Sequence, residues 1–101
     1  MEFTPLLLMG ILLIAVGIAN LLGKLSTIHW YNRRRVREED APRYGKAVGL
    51  GTIIIGTSIT LTAVLQMLFD LEALYYLIVA GVVIGIAFIV YAQFHYNKGI
   101  F

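Results

Sequence analysis

The amino-acid sequence predicts an all-α membrane protein whose chain crosses the bilayer three times. Three apolar runs, over residues 4–23, 47–69 and 73–94, each have about the 20 residues with which a helix crosses a hydrocarbon core about 30 Å thick. None of the runs contains Asp, Glu, Lys, Arg or His. With 59% hydrophobic and 14% charged residues, a chain of 101 residues is too apolar for a soluble domain. We therefore expect residues 1–101 to form a single multi-pass domain in the cell membrane.

The positions of the basic residues predict the orientation of the three helices. All but one of the 8 Lys and Arg residues lie in segment 24–46, between the first two runs, and Lys98 follows the third. The two remaining flanking segments carry Glu2, Asp70 and Glu72. The positive-inside rule then places the N-terminus outside, and the 24–46 loop and the C-terminus in the cytoplasm. Because topology accounts for the positive charge, we expect no nucleic-acid partner.

The first helix is expected to begin near Thr4, which can cap it, with Pro5 in the first turn. A signal peptide would carry positive charge where this chain has Glu2, so we expect the first run to be retained as a span. Asn20 and Gln66 lie near span ends, from which their amides are expected to reach the lipid headgroups.

The loop between the first two runs carries a basic cluster with two interpretations. It can contact anionic lipid, since each basic residue near an anionic leaflet contributes about 1 kcal/mol, or it can dock an acidic cytoplasmic surface. The residues of this candidate docking cluster are Arg33, Arg34, Arg35 and Arg37.

The second helix is expected to start around Ala41, because Asp40 is a good cap and Pro42 suits a first turn. It then enters the membrane near Lys46. Tyr44 belongs to a group of aromatic residues predicted at the cytoplasmic boundary, where amphipathic rings are favoured.

Almost no linker separates the second run from the third, since only residues 70–72 lie between them. The two helices are therefore expected to form a tight antiparallel hairpin whose acidic tip faces outside. The third helix should end near His95 or Tyr96.

Small residues recur at spacings of three or four along the second helix, and pairs of glycines mark the first and third. Such ridges allow two membrane helices to approach closely. Internal packing is the favoured interpretation, and a seam for a partner protein or a second copy is the alternative. The predicted seam comprises Gly45, Gly49, Thr52, Gly56, Thr60, Ala63, Gly81 and Gly85, with Gly10 and Gly17 as a sparser line on the first helix.

Hydroxyl side chains of the second helix offer a different interpretation, in which several copies surround a polar pore. Ser and Thr can instead bond the carbonyl one turn back in their own helix, which favours ordinary packing. The hydroxyl residues concerned are Thr52, Thr57, Ser58, Thr60 and Thr62.

The sequence contains no recognisable catalytic constellation. It has no cysteine, no glycine-rich phosphate loop and no ionisable residue within the apolar runs that would serve proton coupling. His29 and His95 are a weak metal signal, because neither has carboxylates at ligand spacing. We therefore expect a protein that is not an enzyme and that needs no cofactor or metal.

The loop and the start of the second run resemble a group of small bacterial and archaeal integral membrane proteins classified as a domain of unknown function. The resemblance implies the same three-span architecture, but it supplies no activity, catalytic residue or cofactor, because that family is uncharacterised. Pro42 and the arginine triplet depart from the pattern of that family. The matching residues are Ile28, Tyr31, Asn32, Arg33, Val36, Glu38, Glu39, Tyr44, Gly49, Ile55 and Gly56.

From these features we expect an accessory subunit that packs its ridge of small residues against a larger membrane complex and stabilises or regulates it. The alternative is a homo-oligomeric pore, because three spans in about 100 residues with this orientation resemble one class of phage holins. Holin-like proteins commonly have a more basic tail than the segment 97–101 found here.

Overall fold

In the computed structural model, the residues described are 3–22 and 38–96. They form three α-helices: α1 (Thr4–Leu21), α2 (Ala41–Phe69) and α3 (Tyr75–His95). Short 3₁₀ turns, Glu38–Asp40 and Glu72–Leu74, precede α2 and α3. The docking cluster, His29 and most of the family-like loop lie outside the described residues.

All three helices are long and apolar enough to cross a membrane, over Thr4–Leu21, Ala41–Phe69 and Glu72–His95. The prediction of an all-helical chain with three candidate spans is therefore confirmed. The helix α2 begins at Ala41, as predicted, and so extends beyond its apolar run by about a turn and a half.

The starts of α1 and α2 partly differ from the expected caps. Pro5 and Pro42 occupy first-turn positions, as predicted, since a missing N–H has no consequence there. The prediction of Thr4 as a cap is wrong, because Phe3 precedes the helix and Thr4 is its first residue. Asp40 does precede α2, but its backbone is already helical (φ −94°, ψ −10°), and its carboxylate makes no capping hydrogen bond.

The link between α2 and α3 is short because each helix end is closed by its own backbone. Asp70 adopts a left-handed conformation, and its N–H donates to the Gln66 carbonyl at 3.0 Å, which ends α2. The Leu74 N–H donates to the Leu71 carbonyl at 3.0 Å and closes the following 3₁₀ turn. At the far end, α3 stops at His95, as predicted.

The central element of the described fold is α2. Both α1 and α3 pack against it extensively, and they make no comparable contact with each other. Gly49 contacts α1 and Gly51 contacts α3. Residues two apart lie on nearly opposite sides of a helix that turns about 100° per residue, so α2 separates the other two helices.

Candidate functional site

The seam between α1 and α2 is built from four glycines that meet in two pairs. Gly10 lies opposite Gly56, and Gly17 lies opposite Gly49; within each helix the two glycines are seven residues apart. A Cβ atom added at Gly49 would lie 2.5 Å from the Gly17 carbonyl oxygen, and one at Gly56 would lie 2.8 Å from that of Gly10. Only glycine permits backbones to approach this closely.

The seam between α2 and α3 also depends on small residues. A Cβ at Gly51 would lie 2.5 Å from the Gly85 carbonyl oxygen, and Gly81 packs directly against the Ser58 side chain. Gly51 was not part of the predicted ridge. The sequence does contain a pattern that includes Gly51: Tyr44, Gly51 and Ser58 are spaced seven residues apart, and they form the side of α2 that meets α3.

Helices of the same chain therefore cover the glycines that were candidates for a partner seam. Gly49 and Gly56 lie under α1, whereas Gly81 and Gly85 lie under α2. Gly45 and Ala63 are also buried, and Thr52 and Thr60 are partly buried. A partner protein would have to bind elsewhere on the described surface.

Three hydroxyl groups of α2 bond carbonyls of their own helix instead of lining a polar path. Thr52 donates to Val48 at 2.9 Å, Ser58 to Ile54 at 2.8 Å and Thr62 to Ser58 at 2.7 Å. The Thr60 hydroxyl, buried beside Gly10, has no hydrogen-bond partner among the described residues. Thr57 is the one exposed hydroxyl among these five residues.

The amides are buried, contrary to the expectation that they reach the headgroups. Asn20 and Gln66 are each 2% exposed, because both lie on packed helix faces. Sequence analysis also missed Gln93, which is buried on α3 and accepts a hydrogen bond from the Tyr44 hydroxyl of α2. Tyr44 is fully buried, so its ring packs within the protein. An unpaired polar group in an apolar setting is destabilising. The Tyr44 hydroxyl pairs the Gln93 oxygen, whereas Gln66 Oε1 has no hydrogen-bond partner among the described residues.

No protein-family model, curated protein or solved structure matches the chain. The resemblance to the three-span family of unknown function therefore stays a prediction.

One side of α2 stays uncovered, and we call it the open face. Its exposed residues follow spacings of seven, four, three and four, a heptad-like pattern that faces one direction. They are Leu50, Thr57, Leu61, Val64 and Leu68. The opposite side of α2, which includes Val48, Ile59 and Gln66, is buried between α1 and α3.

A groove of about 530 Å³ lies beside the open face, between the start of α2 and the end of α3. We call it the Arg43–Tyr96 groove. Its lining residues are Arg43, Lys46, Ala47, Leu50, Ala87, Phe88, Tyr91 and Tyr96. Basic and aromatic groups thus stand at one end of an otherwise apolar surface.

Aromatic rings stack at the α3 side of this groove. The Tyr91 and His95 rings are stacked with centroids 5.0 Å apart, and Tyr96 meets His95 edge-on at 4.7 Å. Desolvation and the neighbouring Tyr91 raise the pKa of the Tyr96 phenol above its ordinary value of 10.0, and Arg43 opposes this effect.

The described residues include no group of three or more His, Cys, Asp or Glu side chains placed to hold a metal ion. Of the predicted histidine pair, only His95 lies within the described part of the chain, and it packs against tyrosines.

Proposed function

We propose that this protein is a non-enzymatic, three-span membrane subunit that binds a larger membrane protein through the open face of α2. In this proposal the N-terminus and the α2–α3 link are outside, and the loop before α2 is cytoplasmic. The observation that carries the proposal is that α2, the central helix, has one uncovered apolar face although its glycine seams are filled internally.

The shape of the open face supports docking of a helix. A fourth helix lying along α2 would have α1 and α3 on either side, whereas one on the outer face of α1 or α3 would meet a single helix. Leu61 is 46% exposed and Leu68 70% exposed, so large apolar side chains are available to interdigitate with a partner. Thr57 adds a hydroxyl near the middle of the face, where an interhelical hydrogen bond is worth about 0.6 kcal/mol on average.

The alternative of a homo-oligomeric pore has less support. A water-filled path requires polar groups on an exposed helix face. Between residues 47 and 68, Thr57 is the one exposed polar residue of α2, and between 77 and 90 the exposed residues of α3 are all apolar. The outer surface described here therefore suits lipid or an apolar partner better than water.

The test is affinity purification of the full chain from native membranes in mild detergent, with the mass and components of the intact complex determined. We expect a larger membrane protein in stoichiometric amount. Leu61→Trp with Val64→Trp should remove it, because the bulky rings prevent close helix contact.

The matched control places the same two tryptophans on the outer face of α3, at the exposed residues Val79 and Val83. This variant should retain the partner. Loss of the partner in both variants, or retention in both, would contradict binding through the open face. A complex composed only of copies of this chain would instead favour the pore, which ion flux in liposomes would then test.

A further inference from the structure

The Arg43–Tyr96 groove combines two chemically different ends. Arg43 and Lys46 are three residues apart on α2, so both side chains lie on the same side of the helix, and both are exposed. Leu50 lies one turn beyond Lys46, and Ala87 and Phe88 face it from α3. The groove is therefore cationic at one end and apolar along its floor.

The distance between these two ends matches the distance between the phosphate of a phospholipid and its acyl chain. Arg43 and Leu50 are seven residues apart, which is about 10 Å along a helix axis. The polar zone on each side of a bilayer is about 5–8 Å deep before the hydrocarbon begins. A headgroup phosphate beside Arg43 and Lys46 would thus place its acyl chain on the apolar floor.

The charge of the groove favours an anionic headgroup. Two basic side chains line it; Glu39 and Asp40 do not, although the negative charge of Asp40 acts on Tyr96 at the same end. An arginine offers paired N–H donors to a phosphate, and a lysine adds a compact positive charge. The Tyr91 and Tyr96 rings border the same end, where amphipathic rings favour the headgroup level.

We infer that the Arg43–Tyr96 groove is a binding site for one anionic phospholipid, whose phosphate lies between Arg43 and Lys46 and whose acyl chain lies along Leu50, Ala87 and Phe88. The site uses Arg43 and Lys46, not the arginines of the docking cluster, and it shares Leu50 with the open face; the inference does not rest on the proposed partner protein. A soluble phosphate would leave the apolar floor unoccupied, so the site requires the whole lipid.

The inference is tested by native mass spectrometry of the purified full chain with phosphatidylglycerol or phosphatidylcholine of identical acyl chains. We expect phosphatidylglycerol to bind more tightly, and Arg43→Gln with Lys46→Gln to weaken its binding by about 30-fold, since each basic residue near an anionic headgroup contributes about 1 kcal/mol. The control, Arg34→Gln with Arg35→Gln, removes the same charge from the loop and should change binding by less than about threefold. Equal binding of both lipids, or equal losses in the two variants, would overturn the inference.

A second pair of variants tests the apolar floor with all charges intact. Ala87→Trp should fill the groove and reduce phosphatidylglycerol binding by about tenfold or more, because it removes the space for the acyl chain. Ala80→Trp, at an exposed position of α3 that does not line the groove, should bind the lipid normally. Unchanged binding in Ala87→Trp would exclude the acyl chain from this groove.

Competition and crosslinking distinguish the lipid from other occupants. Glycerol 3-phosphate should not displace the lipid, and displacement at equal concentration would show that the phosphate alone is recognised. A photoreactive residue at position 87 in native membranes should yield a lipid adduct. An adduct with a protein segment instead would overturn the assignment to lipid.

Discussion

At the scale of single residues, Gly56 sets how closely α1 approaches α2. A Cβ atom at this position would lie 2.8 Å from both the Gly10 carbonyl oxygen and the Ile14 amide nitrogen. Both neighbours are backbone atoms, so no side-chain rotation can relieve the contact. Any larger residue must therefore displace the α1 backbone.

We predict that Gly56→Leu lowers the free energy of unfolding by about 3 kcal/mol, at the upper end of the usual effect of overpacking. The measurement is reversible unfolding in mixed micelles at several protein concentrations. The loss should not depend on concentration, because the seam lies within one chain. Thr57→Leu is the matched control: it adds the same side chain one residue away on the open face and should change stability by less than about 0.5 kcal/mol. A concentration-dependent loss for Gly56→Leu would indicate a seam between chains.

The hydrogen bond between Tyr44 and Gln93 could not be predicted from the local sequence around either residue. Each residue alone resembles an ordinary interfacial side chain near a span end. The two are 49 residues apart in sequence, and only the packing of α3 on α2 brings the phenol to the amide. The burial of both residues is thus a tertiary effect that local composition does not encode.

At the scale of elements, the turn between α2 and α3 depends on one left-handed residue. Asp70 has φ 51° and ψ 57°, a conformation that disfavours side chains branched at Cβ. The next residue, Leu71, is extended, with φ −116° and ψ 123°. Position 70 therefore disfavours residues branched at Cβ, whereas position 71 accommodates them.

We predict that Asp70→Val lowers the free energy of unfolding by about 1–2 kcal/mol, whereas Asp70→Gly raises it by up to about 1 kcal/mol. Leu71→Val should be close to neutral, since valine fits extended backbone. Mixed-micelle unfolding of the three variants provides the measurement. Similar losses for valine at positions 70 and 71 would rule out the left-handed turn as the cause.

The helices could be predicted from the sequence because their signals are local. Apolar runs of sufficient length, Pro5 and Pro42 in first turns, and the short 70–72 link determine where helices begin and end. The faces of α2 were harder to assign. The spacing of small residues at three and four predicted a single ridge that includes Gly49 and omits Gly51, whereas Gly49 packs against α1 and Gly51 packs against α3. The seven-residue spacing distinguishes these two seams, yet which helix covers each one depends on contacts distant in sequence.

At the scale of the whole molecule, the helix seams are filled internally, so contacts with other molecules depend on the outer surface. The polar amides and most of the small residues face inward, while large apolar side chains such as Leu12, Leu68 and Val83 face outward. This arrangement suits lipid as solvent, since association in membranes depends on close packing and not on burial of apolar surface from water. Specific contacts are therefore expected where shape or charge is distinctive, at the open face and at the Arg43–Tyr96 groove.

The orientation of the molecule is tested by labelling cysteines in intact cells, and the chain is suited to this because it contains no native cysteine. We predict that a membrane-impermeant thiol reagent modifies Glu72→Cys from outside but modifies Arg35→Cys only after the membrane is permeabilised. The physical reason is that position 35 belongs to the strongly basic 24–46 segment, which the positive-inside rule assigns to the cytoplasm, whereas the link near residue 72 is acidic. Permeabilised cells provide the control, since both variants should then react. Labelling of position 35 but not 72 in intact cells would reverse the orientation, and the anionic lipid of the Arg43–Tyr96 groove would then belong to the outer leaflet.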